Sequence, residues 1–388
     1  MTKTHILLQN AEIILQSGKS ETRNLTIENG RIIETLDDQS IDAETIDLSR
    51  LQLFAGFIDV HNHGAVGVDV NTATADDLRK VGKFLASEGV TAWLPTFVPD
   101  SDEVYQKVIA AIDEVMETQT DEAVAQIVGV HYEGVFANEK MCGALRPQFF
   151  KTFRGGDEVN DLPKLKKGVH LTTLAPEVEN GIELIKELVR QNWIVSIGHT
   201  KADVEALDKA FVAGAKHLTH FFNAMTGLHH RETGVVGWAL TKDDTTFDII
   251  ADGVHVAPKV LKFGVKSKGI DKVSLISDSV APTGLGDGDF QLWGENISVV
   301  NGKTQNERGS IAGSVITMLD AVKQMRSLEF SDADVSVMAS ANPAKLLGIE
   351  ATHGTIGTGK RADLVALDDD GNVKLTIIGE KILTGRTR

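Results

Sequence analysis

The chain has 388 residues, 42% hydrophobic and 24% charged, with a formal net charge of −16 and a single cysteine, Cys142. That length accommodates a large catalytic domain plus a smaller module. An acidic chain lacks the basic footprint that grips a nucleic-acid backbone, no apolar run approaches the roughly 18 residues of a membrane span, and one cysteine excludes both an intrachain disulfide and a cysteine zinc cage. The expected partner is therefore a small molecule, with no nucleic acid and no membrane. Residues 1–15 lack the basic-then-apolar layout of a signal peptide, and the lone thiol suits a reducing compartment, so a cytoplasmic location is expected.

In chain order, residues 1–54 read as short strands, HILLQNAEIIL and then NLTIENGRII, with Asn29-Gly30 as a hairpin signal. Beyond them, short apolar runs alternate with segments of helical period. The runs are GFIDV, VTAWLPT, IVGVHYE, VHLTTLAPE, WIVSIGHT, KHLTH, FDIIADG and VSLISDS. After the first run, Leu78, Val81, Phe84 and Leu85 fall on one helical face, and Gly89 marks a stop. Residues 180–183 and 200–203 resemble helix-start boxes. Eight runs alternating with helices predict an α/β fold, a (β/α)8 TIM-type barrel over residues 55–353. Strand-like sequence returns in ADLVALDDDGNVKLTIIGEKILTG, with Asp370-Gly371 as its turn. Residues 1–54 and 354–388 are expected to form one small β-sandwich-like module outside the barrel.

The polar residues that need explaining end these runs: His61 and His63 after the first, Glu133 after the third, His199 after the fifth, His220 after the sixth and Asp278 after the eighth. In a barrel the C-terminal strand ends converge on one mouth, where active sites lie. Residues two apart on a strand point to one side, so His61 and His63 share an aspect. Imidazole suits zinc and iron, and a carboxylate such as Glu133 bridges two ions. His199 and His220 would complete a second position, leaving Asp278 as a proton shuttle. Taken singly, an H-x-H pair arises by chance, and an Asp after an apolar run is ordinarily a cap. The repetition at strand ends is what favours a metal site. His217 reads as structural, His131 as support behind the ligands, and His229 and His230 as solvated loop residues.

At these residues the chain resembles the N-acetylglucosamine-6-phosphate deacetylase family of the amidohydrolase superfamily. The likeness runs through GFIDVHNHG, HYEGVF, LAPE, GHT, HLTHFFNAMTGLHHRETGVVG, ADGVHV, ISDSVAPTGLGDGDFQL, GSIAGS, ANPAKLLGI and GTGKRADLV. The resemblance implies that Glu133, His199 and His220 are shared metal ligands. His61 and His63 match a pair that only some members possess, so one or two divalent ions per subunit, zinc or iron, are implied. Asp278 matches the catalytic acid/base. Ala144, Leu145, Asn223, Ala224, Arg231, His255, Ile311, Ala312 and Gly313 match substrate-contacting positions, with Arg231 and His255 on the phosphorylated sugar. A homodimer is implied, in which Arg231 reaches the neighbouring site. The chain departs from the family at Gly143-Ala144-Leu145, where Gly-Ala-His is usual, and at Thr233, where proline often stands. Leu145 makes no hydrogen bond, and Arg146 offers itself as a substitute anion contact.

The reaction expected from this resemblance is metal-assisted hydrolysis of the acetamide of N-acetylglucosamine 6-phosphate to glucosamine 6-phosphate and acetate. Asp278 would act as base on a metal-bound water and then as acid toward the amine. Alternatives are a deacetylase of another N-acyl amine or amino-sugar phosphate, such as N-acetylgalactosamine 6-phosphate, and a non-catalytic sugar-phosphate-binding relative.

Overall fold

A computed structural model describes residues 5–34, 43–155 and 158–385. The parts of the terminal module at 1–4, 35–42 and 386–388 lie outside the described residues. Eight parallel strands, numbered in chain order, make the barrel: β1 Phe57–Asn62, β2 Val90–Phe97, β3 Gly129–Phe136, β4 Val169–Leu174, β5 Ile194–Ile197, β6 His217–Leu218, β7 Thr246–Ile250 and β8 Val273–Ile276. Each pairs with the next in parallel register. The ring closes where the Asp278 amide donates to the His61 carbonyl at 2.9 Å and Asn62 bridges Ser279. All eight apolar runs of the sequence form these strands. Strands buried on both faces read as nearly continuous apolar segments, and β2 and β3 are buried at every residue. Ile58, Val60, Ala92, Leu94, Leu171, Ile250 and Ile276 pack together inside the ring with Ala344 and Leu347.

The helices of eight residues or more are α1 Ala75–Ser87, α2 Asp102–Thr118, α3 Gly181–Arg190, α4 Val204–Ala213, α5 Gly234–Thr241, α6 Pro258–Lys268 and α7 Met318–Ser327, and two short ones, Asp332–Ser336 and Asn342–Leu346, follow. Helix α1 starts in a reciprocal box, Thr74 with Asp77, buries Leu78, Val81, Phe84 and Leu85, and gives way to Gly89 at φ +86°. Two start signals work differently from expectation. Asn180 precedes α3 but sits at φ 55° and makes no side-chain cap. At α4 the cap is Asp203, accepting from the Ala206 amide, while the Thr200 hydroxyl turns away to Glu177. Between β3 and β4 the chain makes two 3-10 turns, Glu139–Met141 and Pro147–Phe149. No helix among the described residues is long and apolar enough to cross a membrane.

Both chain ends enter one eight-stranded sheet. Its order runs from Lys381–Thr384 through Val373–Ile378, Asp363–Leu367, Gln52–Ala55, His5–Ile14 and Ser20–Glu28 to Arg31–Ile33, with Ala43–Asp47 beside His5–Ile14. Asn29-Gly30 is the expected turn, both residues at positive φ. Ile6, Leu8, Leu25, Leu53, Leu364 and Ile377 form its own apolar cluster. The sequence reading did not anticipate a three-stranded antiparallel sheet after β8, Gly288–Leu292, Glu295–Val300 and Lys303–Asn306.

Candidate metal centre and active site

Six strand-end side chains meet at the barrel mouth, five of them at most 5% exposed and Asp278 at 6%. Two triads share Glu133: His61 and His63 on one side, His199 and His220 on the other. The His61 and His63 Nε2 atoms are 3.0 Å apart, and His63 Nε2 lies 3.3 Å from Glu133 Oε2. Opposite, the Nε2 atoms of His199 and His220 lie 2.9 and 3.0 Å from Glu133 Oε1 and 3.1 Å from each other. Asp278 Oδ1 stands 3.4 Å from His61 Nε2 and 3.3 Å from His63 Nε2. Thus all six predicted polar residues come together.

This donor set fits a divalent ion on three counts. A tetrahedral ion with bonds of about 2.0–2.1 Å holds its donors about 3.3 Å apart, close to the spacings within each triad. His63 Nδ1 faces the Thr96 carbonyl at 3.1 Å and His199 Nδ1 the Met141 carbonyl at 2.8 Å. A carbonyl only accepts, so both Nδ1 atoms carry protons and both Nε2 atoms face inward, the orientation in which an imidazole offers Nε2 to a metal. Finally, two buried carboxylates here demand positive charge. Burial opposes protonation of His63, yet Asp278 and Glu133 outweigh it and push its pKa up to about 10. Against the same opposition, Glu133 and Asp278 raise His220 to about 9. Burial likewise opposes ionisation of Glu133, but His61, His199 and His220 hold it well below the carboxylate range.

The backbone is strained where it delivers these groups. His199, His220 and Asp278 have φ of 47°, 34° and 49°, in the left-handed region that side chains other than glycine rarely adopt. Tertiary bonds hold them there. The His220 amide donates to Asp248 Oδ1, and His217 Nε2 meets Asp248 Oδ2 at 3.1 Å, which gives His217 a structural place. His131 lies behind the ligands, its ring centroid 4.6 Å from that of His61 and its Nε2 2.7 Å from Thr173 Oγ1. Burial keeps it neutral.

Above the centre opens a cavity of about 420 Å³. Ala144, Leu145, Asn223, Ala224, His255, Ile311 and Gly313, all expected at substrate-contacting positions, line it. Two predicted contacts do not. Ala312 is fully buried with Val280, Leu292 and Ile297, and Arg231 is exposed on the loop before α5. Arg146 is committed elsewhere: it pairs with Asp100, and its guanidinium lies 4.8 Å from the Phe149 ring centroid. Leu145 fills the space beside Gly134, where an added Cβ would meet Leu145 Cδ1 at 2.2 Å.

A sequence model of the amidohydrolase family matches residues 53–383. The chain is 36% identical to an N-acetylglucosamine-6-phosphate deacetylase of Bacillus subtilis (strain 168), over 84% of this chain and 83% of that protein. It is 33% identical to an N-acetylgalactosamine-6-phosphate deacetylase of Escherichia coli O157:H7, over 96% and 97%. Among solved structures, the N-acetylglucosamine-6-phosphate deacetylase of Thermotoga maritima superposes with a TM-score of 0.88 at 31% identity, covering 98% of this chain and 100% of that one. An alanine mutant of the Mycobacterium smegmatis deacetylase, in complex with N-acetyl-D-glucosamine-6-phosphate, superposes at 0.86 with 27% identity, covering 98% and 99%. The chain belongs to the amidohydrolase family.

Several residues of this amidohydrolase's site escaped the sequence reading. Lys140, Met141, Trp293 and Ser310 also line the cavity, and the Trp293 ring lies edge-on to His63 at 5.3 Å. No strand-end pattern marks them, because they come from irregular turns and from the added sheet. Buried Asp59 accepts from Ser277 Oγ at 2.6 Å and Asn62 Nδ2 at 3.0 Å, tying β1 to the end of β8 beneath the site. Its place at the centre of GFIDVHNH was a signal available in the sequence.

Proposed function

We propose that this hydrolase removes the acetyl group of N-acetylglucosamine 6-phosphate, releasing acetate and glucosamine 6-phosphate. The observation that carries the reading is Glu133 shared by two buried histidine pairs, with Asp278 beside one of them, in a chain whose relatives are amino-sugar-phosphate deacetylases. Glu133, His199 and His220 would hold one divalent ion, and His61, His63 and Glu133 a second, with zinc or iron suited to the donors. A bound ion supplies Lewis acidity, polarising the acyl oxygen and making water a better nucleophile.

Asp278 handles the proton. Burial opposes its charge, but His61 and His63 outweigh it and hold the carboxyl below its ordinary range, so it stands ionised as a base requires. It takes a proton from the attacking water and returns it to the amine, which leaves poorly unless protonated. His255 is held by Asp252, Nδ1 to Oδ2 at 2.6 Å, so that its Nε2 serves the substrate. Asn223 and the 311–313 loop shape the sugar pocket.

Further parts of this reading are a cytoplasmic enzyme, a homodimer in which Arg231 enters the neighbouring site to meet the phosphate, and a division into a barrel of 55–353 and a module of 1–54 with 354–388. Exposure of Arg231 outside its own chain's cavity supports the dimer. A second reading, N-acetylgalactosamine 6-phosphate as substrate, is favoured by the Escherichia coli relative and by Leu145 in the cavity wall. Acetate release from the two sugar phosphates and from unphosphorylated N-acetylglucosamine, with metal content measured on the same sample, decides. Faster release from the glucosamine ester supports the first reading. Preference for the galactosamine ester moves the assignment to the second, and no release from a metal-loaded sample overturns both.

A further inference from the structure

The cavity wall poses a problem of charge. A sugar phosphate brings about two negative charges to a site whose floor already holds the buried carboxylates Glu133 and Asp278. Arg231, the cation assigned to the phosphate above, lies outside the wall of its own chain's cavity. Among the described residues that line the cavity, one carries a permanent positive side chain, Lys140.

Among the described residues, Lys140 lacks the carboxylate partner that several lysines of this protein have. Lys151, Lys166, Lys186, Lys209, Lys242, Lys262 and Lys374 each lie within 3.0 Å of a carboxylate. Lys140 makes no ion pair with any described residue, although acidic residues outnumber basic ones 55 to 39 in the chain. An ammonium left unpaired in an acidic molecule keeps its full charge for a ligand.

Its mounting is firm. Lys140 is the middle residue of the turn Glu139–Met141, and its amide is capped by Asn138 Oδ1 at 2.9 Å. Asn138 is fixed in turn by Glu177 at 2.7 Å and by the His199 carbonyl, which accepts from the Asn138 amide at 3.1 Å. The next residue, Met141, gives its carbonyl to His199 Nδ1. The turn that carries Lys140 is thus bonded on both sides of it to one of the candidate metal ligands, which fixes the backbone from which this exposed side chain lines the cavity.

We propose that Lys140 binds the phosphate of the substrate from within the same chain and sets the enzyme's preference for phosphorylated over unphosphorylated amino sugars. This rests on the sugar-phosphate reading above. The resulting anion site needs no partner subunit, and Arg231 of a neighbour would add to it.

The test compares Lys140→Met, Lys140→Arg and, as a control on an exposed helix, Lys107→Met. The ratio of kcat/KM for N-acetylglucosamine 6-phosphate to that for N-acetylglucosamine is one readout, and binding of glucose 6-phosphate by calorimetry is the other. One lost charge-assisted contact corresponds to a fall of about 10- to 100-fold in the ratio for Lys140→Met. Glucose 6-phosphate should bind more weakly by a similar factor, Lys140→Arg should recover most of both, and Lys107→Met should match the parent. An unchanged ratio and unchanged glucose 6-phosphate binding in Lys140→Met overturn the proposal. If the parent binds glucose 6-phosphate through Lys140 yet releases no acetate from either sugar, the anion site stands and the deacetylase reading falls. If the parent binds no sugar phosphate at all, the proposal falls with it.

Discussion

Asp278 occupies a strained backbone position, is buried, and touches both imidazoles of one pair without completing either triad. In the proposed mechanism that arrangement would separate proton transfer from metal retention. Asp278→Asn keeps the shape and removes the base, so turnover should fall between about 100- and 10,000-fold while metal content is unchanged. Metal analysis and acetate release on one preparation check this, and full turnover in the variant would remove Asp278 from its role. His131, His217 and Asp59 show the complementary case. They are as deeply buried as the ligands but spend their polar atoms on Thr173, Asp248 and Ser277. Position at a strand end separates the two kinds of residue in the sequence only where the strand ends themselves can be recognised.

At the scale of elements, the barrel strands were legible because burial on both faces leaves unbroken apolar runs. The β6 strand is only two residues long, His217–Leu218, and is still bracketed by polar residues that the pattern exposes. Helix starts were less legible, because Ser, Thr, Asp and Asn serve turns and distant partners as readily as caps. Thr200 is the example, since its hydroxyl binds Glu177 rather than the helix. Where the box is real, its effect is local. Thr74→Ala removes the hydroxyl's bonds to the Asp77 amide and carboxylate at the start of α1, keeps the Thr74 amide's bond to Asp77, and should lower stability by about 1 kcal/mol in urea denaturation, with activity unaltered. A loss of activity in that variant would mean that α1 positions the site more directly than its packing indicates. The Gly288–Asn306 sheet was missed because its strands are short, largely exposed and polar, which reads as loop.

The whole molecule joins a barrel to a sheet built from both ends of the chain, and Arg231 lies exposed away from its own chain's cavity. If each site of a homodimer takes Asp278 from one chain and Arg231 from the other, two defective variants can complement. Mixing Asp278→Asn with Arg231→Ala subunits under exchange conditions should restore activity, because a hybrid dimer holds one site with both residues intact. A mixture no more active than its components would place both residues in one subunit's site or exclude the dimer. This experiment is independent of Lys140, which acts within its own chain.

Local spacing was sufficient to establish the alternation of strands and helices, the eight strand ends, and the six polar residues that stand there. Burial and period write those features directly into neighbouring residues. Folding alone decided that Arg146 is spent on Asp100, that Ala312 turns away from the cavity, and that Lys140 and Trp293 join its wall. Each of these depends on contacts between segments far apart in the chain, and no periodicity within a segment records which distant side chain will fill the space opposite.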